Sequence, residues 1–176
     1  KKGLGIPVKS SGSEGIEKSY LKYVEDEKPD LVVLLDKPVI NQEFIDNIPC
    51  QVIMIDHHTP IKIKKAKYYN PQLNNKNAPT AYIAYQITNN YMWIAAIGCI
   101  FDHYIPDFLK EIKKQYPKLM DKMSRDQGHI KFNTELGKLV TILTFNIKGK
   151  KKEVEESLKN LEKIEDPMEM LEKTSK

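Results

Sequence analysis

The apolar positions along the chain change period several times, and each change predicts an element. Ile16, Tyr20, Leu21 and Val24 recur at helical spacing, which predicts an amphipathic helix over residues 13–27 with Ser11 or Ser13 as its cap. Pro29-Asp30 stops it. Leu31–Leu35 is a wholly apolar run that closes on Asp36. Residues 41–47 predict a short helix, with Asn41 as cap, Phe44 and Ile45 turned inward and Pro49 as the stop. Residues 52–55 form a second apolar run, closing on Asp56. Two apolar strands joined by a helix make a βαβ unit, so the strands are expected to be parallel and buried on both faces.

Downstream the period is helical. Residues 78–88 and 91–101 predict two apolar helices split by Asn89-Asn90, and Pro106 opens another that runs to about Gln115, before Pro117. Residues 124–133 read as a polar loop. From Thr134 onward Leu136, Leu139, Val140 and Leu143 are periodic, and Val154, Leu158 and Leu161 continue the pattern beyond Gly149. The expected fold class is α/β, a parallel sheet with flanking helices, followed by an all-helical C-terminal segment. The expected domains are 1–123 and 124–176.

Composition narrows the class. The chain has 176 residues, 40% hydrophobic and 30% charged, which is a globular balance rather than a disordered one. No apolar run approaches the roughly 18 residues a membrane span needs, and no membrane partner is expected. The net charge of +4 permits an anionic partner without requiring one. Arg125 is the only arginine among the basic residues. Cys50 and Cys99 are far apart in apolar surroundings, which argues against a disulfide framework and points to a reducing, cytoplasmic setting.

The candidate chemistry sits at the strand ends. Open parallel sheets bind ligands beyond the carboxyl ends of their strands. Adjacent strands lie about 4.8 Å apart, so Asp36 and the run Asp56-His57-His58 can share a metal or a phosphate. Consecutive residues point in different directions, so one histidine is expected to ligate a metal while the other faces a substrate phosphate. A carboxylate beside them can orient a ring and fix its tautomer. The plain alternative is a polar turn after a strand. Asp102, closing the apolar run 93–101, is a further candidate ligand, or simply the point where a helix reaches water. Lys62, Lys64, Lys65 and Lys67, followed by Tyr68-Tyr69, offer a basic, aromatic groove for single-stranded nucleic acid. They equally describe an edge strand whose lysines prevent aggregation.

The run Val52-Ile53-Met54-Ile55-Asp56-His57-His58 resembles the signature of the DHH phosphoesterase superfamily. RecJ-type exonucleases, nanoRNases, exopolyphosphatases and family II inorganic pyrophosphatases belong to it. Residues 31–36 resemble its second motif, Asp56-His57-His58 its third, and Ala95-Ala96-Ile97-Gly98 running on to Asp102 its fourth. Asn77-Ala78-Pro79-Thr80-Ala81 resembles the helix start that follows the third motif. The likeness covers about residues 20–105, and residues 136–150 are similar, more loosely, to archaeal RecJ-like members.

The resemblance implies a metal-dependent phosphoesterase with a two-metal hydrolytic mechanism. Asp36 would bridge two ions, His57 and Asp102 would complete the shell of one, His58 would face the scissile phosphate, and Asp56 would support the histidine pair. Apart from the resemblance, the basic run itself makes Lys62, Lys64 and Lys65 the candidate substrate contacts. The mixed carboxylate and imidazole ligands suit manganese (Mn2+), with magnesium as a substitute. Residues 1–30 contain no histidine, so the family's first motif is expected before Lys1 and a substrate domain after Lys176, the two-metal site being completed by residues outside this chain. The first expectation for function is a RecJ-like exonuclease or oligonucleotide phosphodiesterase. One alternative is a non-catalytic scaffold with a replication or repair partner. Another is a pyrophosphatase or polyphosphatase acting on a small phosphate substrate.

Overall fold

The computed structural model describes residues 16–161 and 163–173, which leaves the expected caps Ser11 and Ser13 outside the described residues. It forms two compact units, the first running to Thr80 and the second beginning at Ala81.

In the first unit the amphipathic segment begins later than its periodicity predicts. Ile16 is not helical: it pairs in parallel with Ile40, with Ile16 N donating to Val39 O at 3.2 Å and Asn41 N donating to Ile16 O at 3.0 Å. A single 3₁₀ turn at Lys18–Tyr20 leads into α1 (Leu21–Glu27), which buries Val24 and ends at Lys28, whose φ of 45° is left-handed. Strand β1 (Leu31–Leu35) follows, then α2 (Gln42–Asp46), β2 (Gln51–Ile55) and β3 (Lys67–Tyr69). Asn41 caps α2 by accepting a hydrogen bond from Glu43 N, and Phe44 and Ile45 are buried, as the sequence predicts.

The three strands are parallel in the order β1-β2-β3. Val32 pairs with Val52 and Leu34 with Met54, so these residues share one face. That face packs with Val24, Phe44, Ile45 and Ile48 into one apolar core. The expectation of burial on both faces fails for β1: Leu31, Val33 and Leu35 alternate onto the opposite face and are 43%, 47% and 47% exposed. A purely apolar strand therefore conceals a period of two that only pairing and the helix layer make visible.

The connection from β2 to β3 contains no helix, which is unusual for a parallel crossover. It is held by its own side chains. Ile61, Ile63 and Ala66 pack on the core. Gln42 and Lys64 exchange two bonds, Gln42 Nε2 donating to Lys64 O at 3.1 Å and Lys64 N to Gln42 Oε1 at 3.0 Å.

The second unit is helical. Its elements are α3 (Thr80–Thr88, whose first residue belongs to the first unit), α4 (Met92–Phe101), α5 (Leu109–Gln115), α6 (Gln127–Asn133), α7 (Glu135–Asn146), α8 (Lys151–Leu161) and α9 (Met168–Lys173). The helical region thus begins at the unit boundary rather than at residue 124. Residues 127–133, expected to be loop, form α6. Asp126 caps that helix by accepting from His129 N at 3.2 Å, and Ile130 is fully buried. Trp93, Ala96, Cys99, Ile112, Leu119, Ile130, Leu136 and Leu139 belong to one continuous core, so the segment around residue 124 lies inside this unit.

Two glycines mark close approaches. A Cβ on Gly98 would lie 2.6 Å from Ala81 Cβ, and one on Gly137 would overlap the Ile130 and Lys131 carbonyls. Burial pushes the Cys99 thiol up to about 12, with Asp102 and Asp107 adding to the shift. No helix of the described residues is long and apolar enough to cross a membrane.

Candidate metal centre

The first unit ends its strands on polar residues, as parallel sheets with ligand sites do. Asp36 follows β1 directly. Its N–H continues the ladder by donating to Ile55 O at 3.0 Å, while its φ of 58° turns the chain sharply away. Aspartate tolerates this left-handed conformation better than most residues, because its short polar side chain bonds locally. Asp56 follows β2 and donates its N–H to Tyr69 O at 3.1 Å, so the sheet pairing carries one residue beyond each strand.

Asp36, His57 and His58 each offer one ligating atom, and these atoms lie within 4.8 Å of one another. His57 Nε2 is 3.3 Å from Asp36 Oδ1. The two imidazoles are tilted by 54° with centroids 4.5 Å apart. Asp56 is 1% exposed and holds His58 twice: Oδ1 is 2.8 Å from His58 Nδ1, and Oδ2 accepts from His58 N at 3.2 Å. With Nδ1 carrying the proton toward Asp56, His58 Nε2 is left with its lone pair as an acceptor or metal ligand.

One carboxylate oxygen and two imidazole nitrogens gathered this closely form a donor set that could hold a metal ion. Asp36, His57 and His58 are the residues that would hold it.

Several side chains that the sequence did not single out as site residues support this cluster. Thr80, buried at the first turn of α3, donates its hydroxyl to Asp36 Oδ1 at 2.9 Å. Asn70, 2% exposed, donates Nδ2 to His58 O at 2.8 Å and to Tyr68 OH at 2.8 Å. Gln72 donates Nε2 to His57 O at 2.6 Å. The dipeptide Asn70-Pro71 is a legible start for the following 3₁₀ turn, but nothing local in the sequence says where the Asn70 amide nitrogen goes. Lys37, next to Asp36, is held below its ordinary value by burial, and the Asp36 carboxylate offsets part of that shift.

The remaining expected site residues fall in different places. Asp102 is in the second unit, where it closes α4 and donates its N–H to Gly98 O at 3.1 Å. Lys62 and Lys64 are exposed. Lys65 has a different task from the one expected: its Nζ donates to Asp46 O at 2.7 Å and to Ile48 O at 3.1 Å. Those carbonyls close α2 and the turn after it, where a cation is favoured, so this ammonium serves the fold.

A scan of protein families finds no match to the chain, and no curated protein matches its sequence.

Proposed function

We propose that the protein is a divalent-metal-dependent phosphoester hydrolase of the DHH type, RecJ-like, acting on single-stranded nucleic acid or short oligonucleotides in a reducing cytoplasm. The observation that carries this reading is the convergence of Asp36, His57 and His58 at the carboxyl end of a parallel sheet, with a buried Asp56 bonded to His58. Mixed carboxylate and imidazole ligands suit manganese, with magnesium as a substitute. Asp36 and His57 bind the ion, Asp56 holds His58 in one tautomer, and His58 faces the phosphate or joins the ligand set. A divalent ion held by Asp36 and His57 would supply charge neutralisation for a phosphoryl group in phosphoester cleavage. Exposed Lys62 and Lys64 contact substrate phosphates beyond the site.

A small phosphate substrate such as pyrophosphate is the second reading. The engagement of Lys65 with α2 favours it, because it leaves a smaller basic surface for a long strand.

The test is manganese titration of the full chain by calorimetry. It is followed by an activity panel with single-stranded DNA, short RNA and pyrophosphate. Saturable binding that His57→Ala abolishes is expected. Binding that is absent, or indifferent to His57→Ala, overturns the metal site. Cleavage of pyrophosphate alone selects the second reading.

A further inference from the structure

Two adjacent histidines can act together only if both rings keep their direction, and the direction of a side chain follows from the peptide planes on either side of its Cα. Hydrogen bonds to the carbonyls of His57 and His58 fix those two successive planes. Both come from one short segment. Gln72 Nε2 holds His57 O at 2.6 Å and Asn70 Nδ2 holds His58 O at 2.8 Å. Asn70 is itself over-determined. Its Oδ1 accepts from Gln72 N at 2.9 Å, capping the 3₁₀ turn Pro71–Asn74, and its Nδ2 also reaches Tyr68 OH at 2.8 Å on β3.

A turn needs only the oxygen of such a cap. Here the residue is 2% exposed, and the amide nitrogen of the same side chain is directed onto the histidine loop. β3 carries the segment to this place, because Tyr69 pairs with Ile55 and the Asp56 N–H bonds to Tyr69 O.

We propose that Asn70 and Gln72 are positioning residues, which aim the His57 and His58 imidazoles by holding their peptide carbonyls. The segment after β3 then determines the geometry of the cluster from behind, as outer hydrogen-bond partners do for ligating histidines. The metal arm of the test below rests on the proposed metal site; the ring arm does not.

The experiment uses the full chain with isotope-labelled histidine and follows the ring signals of its four histidines by NMR. Asn70→Ser keeps an oxygen for the cap and removes both amide donors. Gln72→Met keeps the length of an exposed side chain and removes its donor. In each variant the His57 and His58 ring signals are expected to broaden or split while those of His103 and His129 stay in place. Manganese affinity is expected to fall about tenfold. The melting temperature of Gln72→Met is expected to stay at the wild-type value. Ring signals that superimpose on wild type in Gln72→Met overturn the proposal, whether or not Asn70→Ser folds. A wild-type chain that binds no manganese sinks the metal site, while the ring signals still decide the positioning role.

Discussion

In the first unit three buried polar side chains, Asp56, Asn70 and Thr80, converge on the ends of β1 and β2. In the second, the buried polar side chain among the described residues is Thr134, which caps α7 by accepting from Gly137 N at 3.2 Å. Burying a polar group costs stability unless it is hydrogen-bonded, so a fold that gathers several in one place holds them there through a fully connected network. The second unit follows the opposite rule. Leu109, Ile112, Leu119, Ile130, Leu136 and Leu139 are at most 1% exposed, and the buried Thr134 serves a helix end. One unit concentrates oriented polar chemistry on a small sheet, and the other concentrates apolar packing.

The contrast can be broken from either side. Leu139 is fully buried in the second core, and Leu139→Ala is expected to cost about 4 kcal/mol through lost burial and the cavity left behind. Denaturant unfolding measures it, and a cost below about 1 kcal/mol would mean that this core is loosely packed. Asp36→Asn should behave inversely. Its side chain is half exposed, and asparagine accepts the left-handed φ of 58° and the Thr80 hydroxyl. Stability is expected to change by less than about 0.5 kcal/mol, while manganese affinity falls at least tenfold. If Asp36→Asn unfolds the protein as readily as Leu139→Ala does, the cluster is a structural element and the contrast collapses.

The smallest effect concerns Asp121. The Lys122 N–H, with His129 nearby, holds its carboxyl below the usual carboxylate range. A lowered carboxylate stabilises the fold above its unfolded value, and that contribution is lost as pH falls through the lowered folded value. The melting-temperature difference between wild type and Asp121→Asn is therefore expected to be small near neutrality and to vanish in acid. A difference that grows in acid would reverse the sign and remove Asp121 from the folded unit's electrostatics.

Much of the fold was legible because its signals are local. Asn41 before a short amphipathic run, Pro117 after another, and apolar runs closing on Asp36 and Asp56 each act within a few residues. Helix α6 was illegible for the same reason. Its sequence Gln127–Asn133 buries Ile130 and little else, which is too sparse for a period, and Asp126 as its cap is ambiguous in a polar stretch. At the site, Asp36, Asp56, His57 and His58 stood out because residue type and position coincide. Thr80, Asn70 and Gln72 did not, since each is an ordinary helix-start or turn residue when read along the chain.

The sequence by itself therefore determined the βαβ unit of β1, α2 and β2, their parallel pairing and the edge of the sheet on which Asp36 and Asp56-His57-His58 emerge, because these follow from period and chain connectivity. Tertiary structure alone decided that β1 buries one face and exposes the other, that Lys65 closes α2, and that the Thr80 hydroxyl meets Asp36 from 44 residues away. Those outcomes depend on which distant groups reach hydrogen-bond distance, and no period along a chain encodes a distance across it.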